Sequence, residues 1–339
     1  MKSVNIVFPE KGKIALIEQE LPALGETQVL IKAEASLISI GTELRCMRGV
    51  FDSDTNWHEW VQYPFGPGYS MAGTIVETGS AVTNYKVGDR ICTQSPHYQY
   101  IIQEADYVNL MLLPEGISFE EGAWQPLGGI CQLGARRPEI QLGDDVGIVG
   151  LGMLGQLVTQ YLHSMGVNTL LAIDVNKYRL EQAKKYGATH TFSGKSDDAM
   201  DIVLELTGGR KLDVIFDITG LAKTLSTITT LVHRGGKVIL LGDNTQPSLQ
   251  YLGPNVVSES ISVLGIQGSH VPDVSTVYAR WSWRAMASLY FDMLLDGRLN
   301  VKDMIHSVRS PADAEETYLW LENEKPDAFG VIFDWNMMG

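Results

Sequence analysis

The chain has 339 residues, a length that suits two domains rather than one. Hydrophobic residues make up 45% and charged residues 19%, the balance of a globular protein with a sizeable core. A formal net charge of −14 argues against nucleic acid or an anionic membrane surface as partner and favours a small-molecule substrate.

The first part, to about residue 118, reads as β-rich. Short runs at Val4–Phe8, Lys13–Glu18, Gln28–Ala35, Ala72–Thr78 and Asp89–Thr93 are punctuated by Gly, Pro and Asn. Small Greek-key or partly open barrels have this texture. Phe119 to Ala135 is helix-compatible, with Gly128–Gly129 weakening its middle. Strands and helices then alternate. Strands are expected at Val146–Val149, Thr169–Asp174, Val214–Asp217, Gly236–Leu241 and Ile261–Gly265. Helices are expected at Leu154–Met165, Lys177–Tyr186, Asp198–Leu206 and Leu221–Leu231. That rhythm implies a parallel, doubly wound α/β sheet. Arg280–Leu295 and Pro311–Asn323 read as helices, and Gly330–Asp334 as a strand returning to the first domain. The expected division is a β-rich domain from 1–120 and 270–339, split around a nucleotide-binding domain at 121–269.

The three cysteines, Cys46, Cys92 and Cys131, are spaced neither as a metal knuckle nor as a redox pair. Their sparse, odd number argues for a reducing compartment. With no signal-like leader at the N-terminus and no apolar run near about 18 residues, a cytoplasmic protein is expected.

The sharpest motif is Gly150-Leu151-Gly152-Met153-Leu154-Gly155, a G-x-G-x-x-G that follows an apolar strand and opens a helix. Gly150 serves the tight turn. Gly152 lets a pyrophosphate approach the backbone at Met153 and Leu154, and Gly155 lets helix and strand pack closely. The diphosphate would meet free N–H groups and the positive end of the helix. Asp174 ends the next strand, where a carboxylate accepts from both ribose hydroxyls and repels a 2′-phosphate, so NAD is expected over NADP. Arg179 lies close enough in sequence to soften that preference. Thr219, Gly242 and Gly268 (the last within Gln267-Gly268-Ser269) follow other strand ends. They either complete the cofactor site or form ordinary turns.

Four stretches resemble the medium-chain dehydrogenase/reductases: Ser39-Ile40-Gly41-Thr42-Glu43, Gly66-Pro67-Gly68-Tyr69-Ser70-Met71-Ala72-Gly73, Tyr85-Lys86-Val87-Gly88-Asp89-Arg90-Ile91 and the dinucleotide segment. The resemblance covers nearly the whole chain and implies a GroES-like catalytic domain split around a Rossmann domain. Many relatives hold a catalytic zinc through Cys and His-Glu. Here Ile40 stands at the Cys position, and Tyr69 and Ser70 stand at the His-Glu positions. Isoleucine ligates nothing, and Tyr and Ser are poor zinc ligands at neutral pH, so no metal is expected. The chain is similar to a zinc-free subgroup near the bacteriochlorophyllide dehydrogenases, many of which act on hydroxyl-bearing carbocycles or sugars.

Without zinc, side chains must polarise the C–O bond. Tyr69 is the first candidate, as donor to a developing alkoxide. Thr42 can relay a proton. Glu43 acts as base or orienting group, or else pairs with Arg45 or Arg90 to brace its loop. His58 and His97 are further polar candidates, or simply solvated. Trp57 and Trp60 either stack on a sugar ring or belong to a core or interface. The expected activity is NAD-dependent interconversion of a secondary alcohol and a ketone on a polyol, sugar or cyclitol. The alternatives are a zinc-free enone or quinone reductase and a non-catalytic dinucleotide sensor. The edge strand at Ile261–Gly265 is a surface for a homodimer or homotetramer.

Overall fold

The computed structural model describes residues 1–268, 271–324 and 327–338. Ser269 of the expected Gln267-Gly268-Ser269 turn, and the expected domain boundary at residue 270, lie outside the described residues. The chain divides into two compact units: Met1–Val50, Asn56–Leu127 and Val271–Gly339 form one, and Phe51–Thr55 with Gly128–His270 forms the other.

The first unit opens with a hairpin of β1 (Lys2–Val7) and β2 (Ala15–Glu20). Next come β3 (Gln28–Leu37), two helices, α1 (Ile40–Arg48) and α2 (Asn56–Trp60), and the strands β4 (Met71–Thr78), β5 (Arg90–Thr93), β6 (Tyr100–Glu104) and β7 (Met111–Leu112). Both helices fall where sequence suggested loops. Gly49 closes α1 in the left-handed region at φ 60°, the usual signal of a helix end.

A short helix α3 (Phe119–Ala123) is fixed by a capping box: Ser118 accepts from the Glu121 amide while the Glu121 carboxylate accepts from Ser118. A second helix, α4 (Gln125–Arg136), follows. The expected single helix thus breaks at Trp124, not at Gly128–Gly129. Pro126 offers no N–H to the preceding turn, which interrupts the ladder there. The glycines cost only about 1 kcal/mol each, which packing overrides.

The second unit contains β8 (Asp145–Val149), α5 (Met153–Met165), β9 (Thr169–Asp174), α6 (Lys177–Lys185), β10 (His190–Ser193), α7 (Met200–Leu206), β11 (Leu212–Asp217), α8 (Thr224–Ile228), β12 (Val232–Leu240) and β13 (Ser262–Gly265). Its six strands run parallel in the order β10-β9-β8-β11-β12-β13. This is the doubly wound sheet, with its order reversing at β8. Val149, Leu171, Ile173, Val203, Ile215, Ile228 and Val238 form part of its core. The helix expected at Leu221–Leu231 is shorter, because the turn before it is tied down by Thr219, whose hydroxyl accepts from the Leu221 amide at 3.0 Å. The strand expected at Gly236–Leu241 begins earlier, at Val232, with a register shift opposite Leu212 and Val214.

The chain then returns to the first unit with α9 (Trp283–Leu295), β14 (Ile305–Arg309), α10 (Ala314–Asn323) and β15 (Gly330–Asp334). β15 pairs antiparallel with β3 and completes the order β14-β15-β3-β4-β5-β7, with β6 also on β3. The fold is therefore mixed α/β, a GroES-like sheet domain and a Rossmann-like parallel-sheet domain. Among the described residues no helix is long and apolar enough to cross a membrane.

Candidate dinucleotide site and hydroxyl relay

In the second unit, β8 ends at the glycine turn. Gly150 adopts φ +93°, and a Cβ there would lie 2.8 Å from Thr219 Cγ2, so both backbone and space require glycine. A Cβ at Gly155 would lie 2.2 Å from the Gly150 carbonyl oxygen, so α5 presses directly on the turn. Gly152 is different: nothing lies within 4 Å of its added Cβ. It is also the N-cap of α5 and brings no side chain to cap the amides that follow, Met153 and Leu154 among them. Open space beside uncapped helix amides is what an approaching diphosphate needs.

Asp174 ends β9 and is buried. Its Oδ2 accepts from the Leu151 amide at 2.7 Å and its Oδ1 from the Asn176 amide at 2.9 Å. One carboxylate thus ties the glycine turn to the next strand end, and an ionised carboxylate has acceptor sites left for hydroxyls. Arg179 donates its amide to Asn176 at 3.1 Å, while its Nε has no hydrogen-bond partner. Thr219 is held by Asp217, whose Oδ1 accepts from its amide at 2.9 Å and from its hydroxyl at 2.6 Å. Gly242 approaches the same turn so closely that a Cβ would sit 2.6 Å from the Gly220 amide. Gly150, Thr219 and Gly242 therefore meet at the carboxyl ends of β8, β11 and β12, where such sheets bind ligands. Gly268 follows β13 and is half-buried.

In the first unit, Ser39 ends the β3 connection and is the N-cap of α1. Its hydroxyl lies 2.6 Å from the Tyr69 phenol, which also hydrogen-bonds Thr42. Burial pushes the Tyr69 phenol up to about 12, and the two hydroxyl partners only partly offset it. Ser39, Thr42 and Tyr69 form a hydroxyl chain whose phenol stays protonated at ordinary pH.

Glu43 stands behind this chain, 1% exposed. Its Oε1 accepts from the Ser39 amide at 2.7 Å. Its Oε2 accepts from Tyr318 and lies 3.0 Å from His97 Nε2. A carboxylate oxygen only accepts, so His97 Nε2 carries the proton. His97 Nδ1 in turn meets the Ser36 hydroxyl at 2.8 Å, and that oxygen accepts from Trp335 Nε1 at 3.0 Å. The network corrects two sequence expectations. His97 is fully buried between Ser36 and Glu43, so it does not present its ring to a substrate. Glu43 is braced by a histidine and a tyrosine, whereas Arg90 donates to the Ile117 carbonyl.

Of the aromatic segment, Trp57 turns into the core at 4% exposure, which removes it as a stacking platform. Trp60 is 45% exposed and packs edge-on against Phe65 at 5.2 Å. His58 is exposed on the same helix. Sequence reasoning missed Ser39, although it directly precedes the Ile40-Gly41-Thr42-Glu43 motif. Ser36, Tyr318 and Trp335 gave no sequence signal, because hundreds of residues separate the first from the last two.

The donor set does not fit zinc. Ile40 offers no ligand atom, Tyr69 is committed to Ser39 and Thr42, and among the described residues no group of three His, Cys, Asp or Glu side chains can hold a metal ion.

The first unit thus carries the Ser39–Tyr69–Thr42 hydroxyl chain and the second carries the glycine turn at the end of β8. Residues 25–126 match the alcohol dehydrogenase GroES-like domain, and residues 154–284 match the family described as zinc-binding dehydrogenase. The chain is similar to D-guloside 3-dehydrogenase of Escherichia coli (26% identical over 341 residues, 94% of this chain and 97% of that one). It is also similar to sorbitol dehydrogenase of Bacillus subtilis (27% identical, 73% of this chain and 76% of that one). The crystal structure of an Escherichia coli oxidoreductase/dehydrogenase of unknown specificity shares the fold, with a TM-score of 0.83 at 21% identity, covering 98% of this chain and 99% of that one. These findings support the medium-chain dehydrogenase/reductase superfamily for this chain.

Proposed function

We propose that the protein is an NAD(H)-dependent oxidoreductase that interconverts a secondary alcohol and a ketone on a polyol, sugar or cyclitol, without zinc. Its relatives include dehydrogenases named for a guloside and for sorbitol. The observation that carries the zinc-free part is the Tyr69 phenol, hydrogen-bonded to Ser39 and Thr42 at a position where the family resemblance would place a metal ligand. The resemblance also favours the bacteriochlorophyllide dehydrogenase-like subgroup.

Gly150, Gly152, Met153, Leu154 and Gly155 would hold the diphosphate, and Asp174 the ribose, with Thr219, Gly242 and Gly268 along the strand ends. The nicotinamide, when bound, supplies a hydride acceptor or donor. The chain's own residues handle the proton. In the reducing direction Tyr69 donates its phenolic proton to the carbonyl oxygen and is reprotonated through the half-buried Thr42 hydroxyl, which takes a proton from solvent water as it gives up its own. In the oxidising direction the phenolic oxygen accepts the substrate's hydroxyl proton while its own passes through Thr42 to solvent water. Glu43 positions Ser39 and does not touch substrate. His58 and Trp60 remain the exposed candidates for substrate contact. The β13 edge is the proposed surface for a homodimer or homotetramer.

The test follows NADH absorbance as purified protein and NAD⁺ meet polyols, cyclitols and sugars. Formation of NADH supports the reading. Turnover confined to electrophilic alkenes or quinones with NADPH would replace it with the enone/quinone reductase reading, and cofactor binding without turnover would favour a sensor.

A further inference from the structure

His97 lies between β5 and β6 and is 0% exposed. Its ring holds the Ser39 side of the hydroxyl chain: Nε2 donates to Glu43 Oε2 at 3.0 Å, and Glu43 Oε1 accepts from the Ser39 amide at 2.7 Å. The same residue grips the segment that carries Tyr69. Its amide donates to the Pro67 carbonyl at 2.8 Å. Its ring lies on Gly68, where an added Cβ would sit 2.7 Å from His97 Cδ2 and 2.8 Å from Nε2. Gly68 is at φ +95°, so a side chain there would be strained as well as crowded.

The sheet alone does not set the spacing of Ser39 and Tyr69. Ser36 pairs with Met71 in the β3–β4 ladder, and the Leu37 amide reaches the Ser70 carbonyl at 2.9 Å. One residue further the two chains part, and Ile38 gives its amide to Val331. Ser39 and Tyr69 stand beyond that point, yet their hydroxyls are 2.6 Å apart. His97 contacts both chains past the parting, Pro67 and Gly68 on one and Glu43 on the other. The ring is itself fixed. Phe333 packs edge-on against it at 5.3 Å, and Nδ1 meets the Ser36 hydroxyl at 2.8 Å, whose oxygen accepts from Trp335 Nε1 at 3.0 Å.

We propose that His97 is a positioning residue for the proton transfer: it ties the Tyr69 segment to the Ser39–Glu43 turn and so keeps the phenol hydrogen-bonded to Ser39 and aimed at the substrate oxygen. This rests on reading Tyr69 as the proton donor of a secondary-alcohol oxidoreductase. A shift of about 1 Å between the two chains takes a hydroxyl–hydroxyl bond out of range. A reacting group misplaced by that much can lose about a hundredfold in rate.

The experiment compares wild type with His97→Phe, which keeps a ring against Gly68 and Phe333 but offers Glu43 no donor. If that variant does not fold, His97→Gln gives the same comparison from the other side, keeping a donor for Glu43 but no ring on Gly68. In the variant's crystal structure the Ser39–Tyr69 separation, 2.6 Å in wild type, should exceed about 3.5 Å. In NAD⁺-dependent polyol oxidation kcat should fall about tenfold or more, while KM for NAD⁺ changes less than about twofold. In a Tyr69→Phe background the same substitution should change kcat by less than about twofold, because His97 acts through the phenol. An unmoved hydroxyl pair, an unchanged kcat, or an equal loss of kcat with and without the phenol overturns the inference. A separated pair in a protein whose wild type forms no NADH from any polyol would leave the placement by His97 standing while removing the oxidoreductase reading. NADH formation by wild type with an unmoved pair in the variant would do the reverse.

Discussion

Replacing Glu43 by alanine removes the acceptor for three groups at once: the Ser39 amide at 2.7 Å, His97 Nε2 at 3.0 Å and the Tyr318 hydroxyl. All three residues are buried, so water does not readily replace the carboxylate. A buried donor left without a partner costs about 1–3 kcal/mol, which gives about 3–9 kcal/mol for the set. A domain is typically stable by about 5–15 kcal/mol, so Glu43→Ala should lie near the limit of folding. Glu43→Gln keeps the size and one acceptor oxygen but turns an NH₂ toward a donor, and should cost about 1–3 kcal/mol. His97→Ala breaks the same network, and the double variant should lose less than the sum of the two singles. Denaturation in urea, followed by tryptophan fluorescence, measures each difference. If Glu43→Ala falls within about 1 kcal/mol of wild type, the network is not what anchors Ser39, and the account of the relay loses its support.

Asp174→Ala should raise the use of NADP relative to NAD and weaken both, because the carboxylate also holds the Leu151 amide; steady-state kinetics with each cofactor, showing unchanged selectivity, would remove Asp174 from the ribose site. Gly152→Ala should fold as wild type, having open space around its Cβ, yet bind NADH at least about tenfold more weakly. Gly155→Ala should lower the melting temperature as well, since its Cβ meets a backbone oxygen; equal behaviour of the two variants in melting and NADH titration would contradict this division. Tyr69→Phe should cut turnover about a hundredfold or more with little effect on NADH affinity. The phenol is pushed from its ordinary 10.0 up to about 12, so its protonation favours the fold fully below pH 10. That stability is lost as pH rises from 10 toward about 12, so alkaline unfolding should be less steep in Tyr69→Phe than in wild type.

The parallel-sheet half was legible because its signals are local. Apolar runs such as Val146–Val149 are bounded by glycines, and Gly150 and Gly155 of the turn each answer a contact within a few residues or one strand away. The weaker elements were not legible: β7 has two residues and β10 four, too few for a period to register. Ser39 to Glu43 read as a loop through its resemblance to the family's first catalytic loop, whereas Ser39 is the N-cap of α1 and donates its amide to the buried Glu43 carboxylate. Thr42 and Tyr69 were visible as hydroxyls near the resemblance motifs. The roles of His97 and Trp57 were not, since whether a ring faces solvent or core depends on partners such as Ser36 and Trp335, which sequence order does not bring together.

The central claim is alcohol–ketone chemistry that proceeds on hydroxyls without a metal. Its most direct test is turnover of NAD⁺ with a polyol panel after exhaustive dialysis against chelator, with zinc measured in the same sample. The account predicts NADH formation at a rate unchanged by the chelator or by added zinc, with far less than one zinc per chain. Activity lost on chelation and restored by zinc would contradict it.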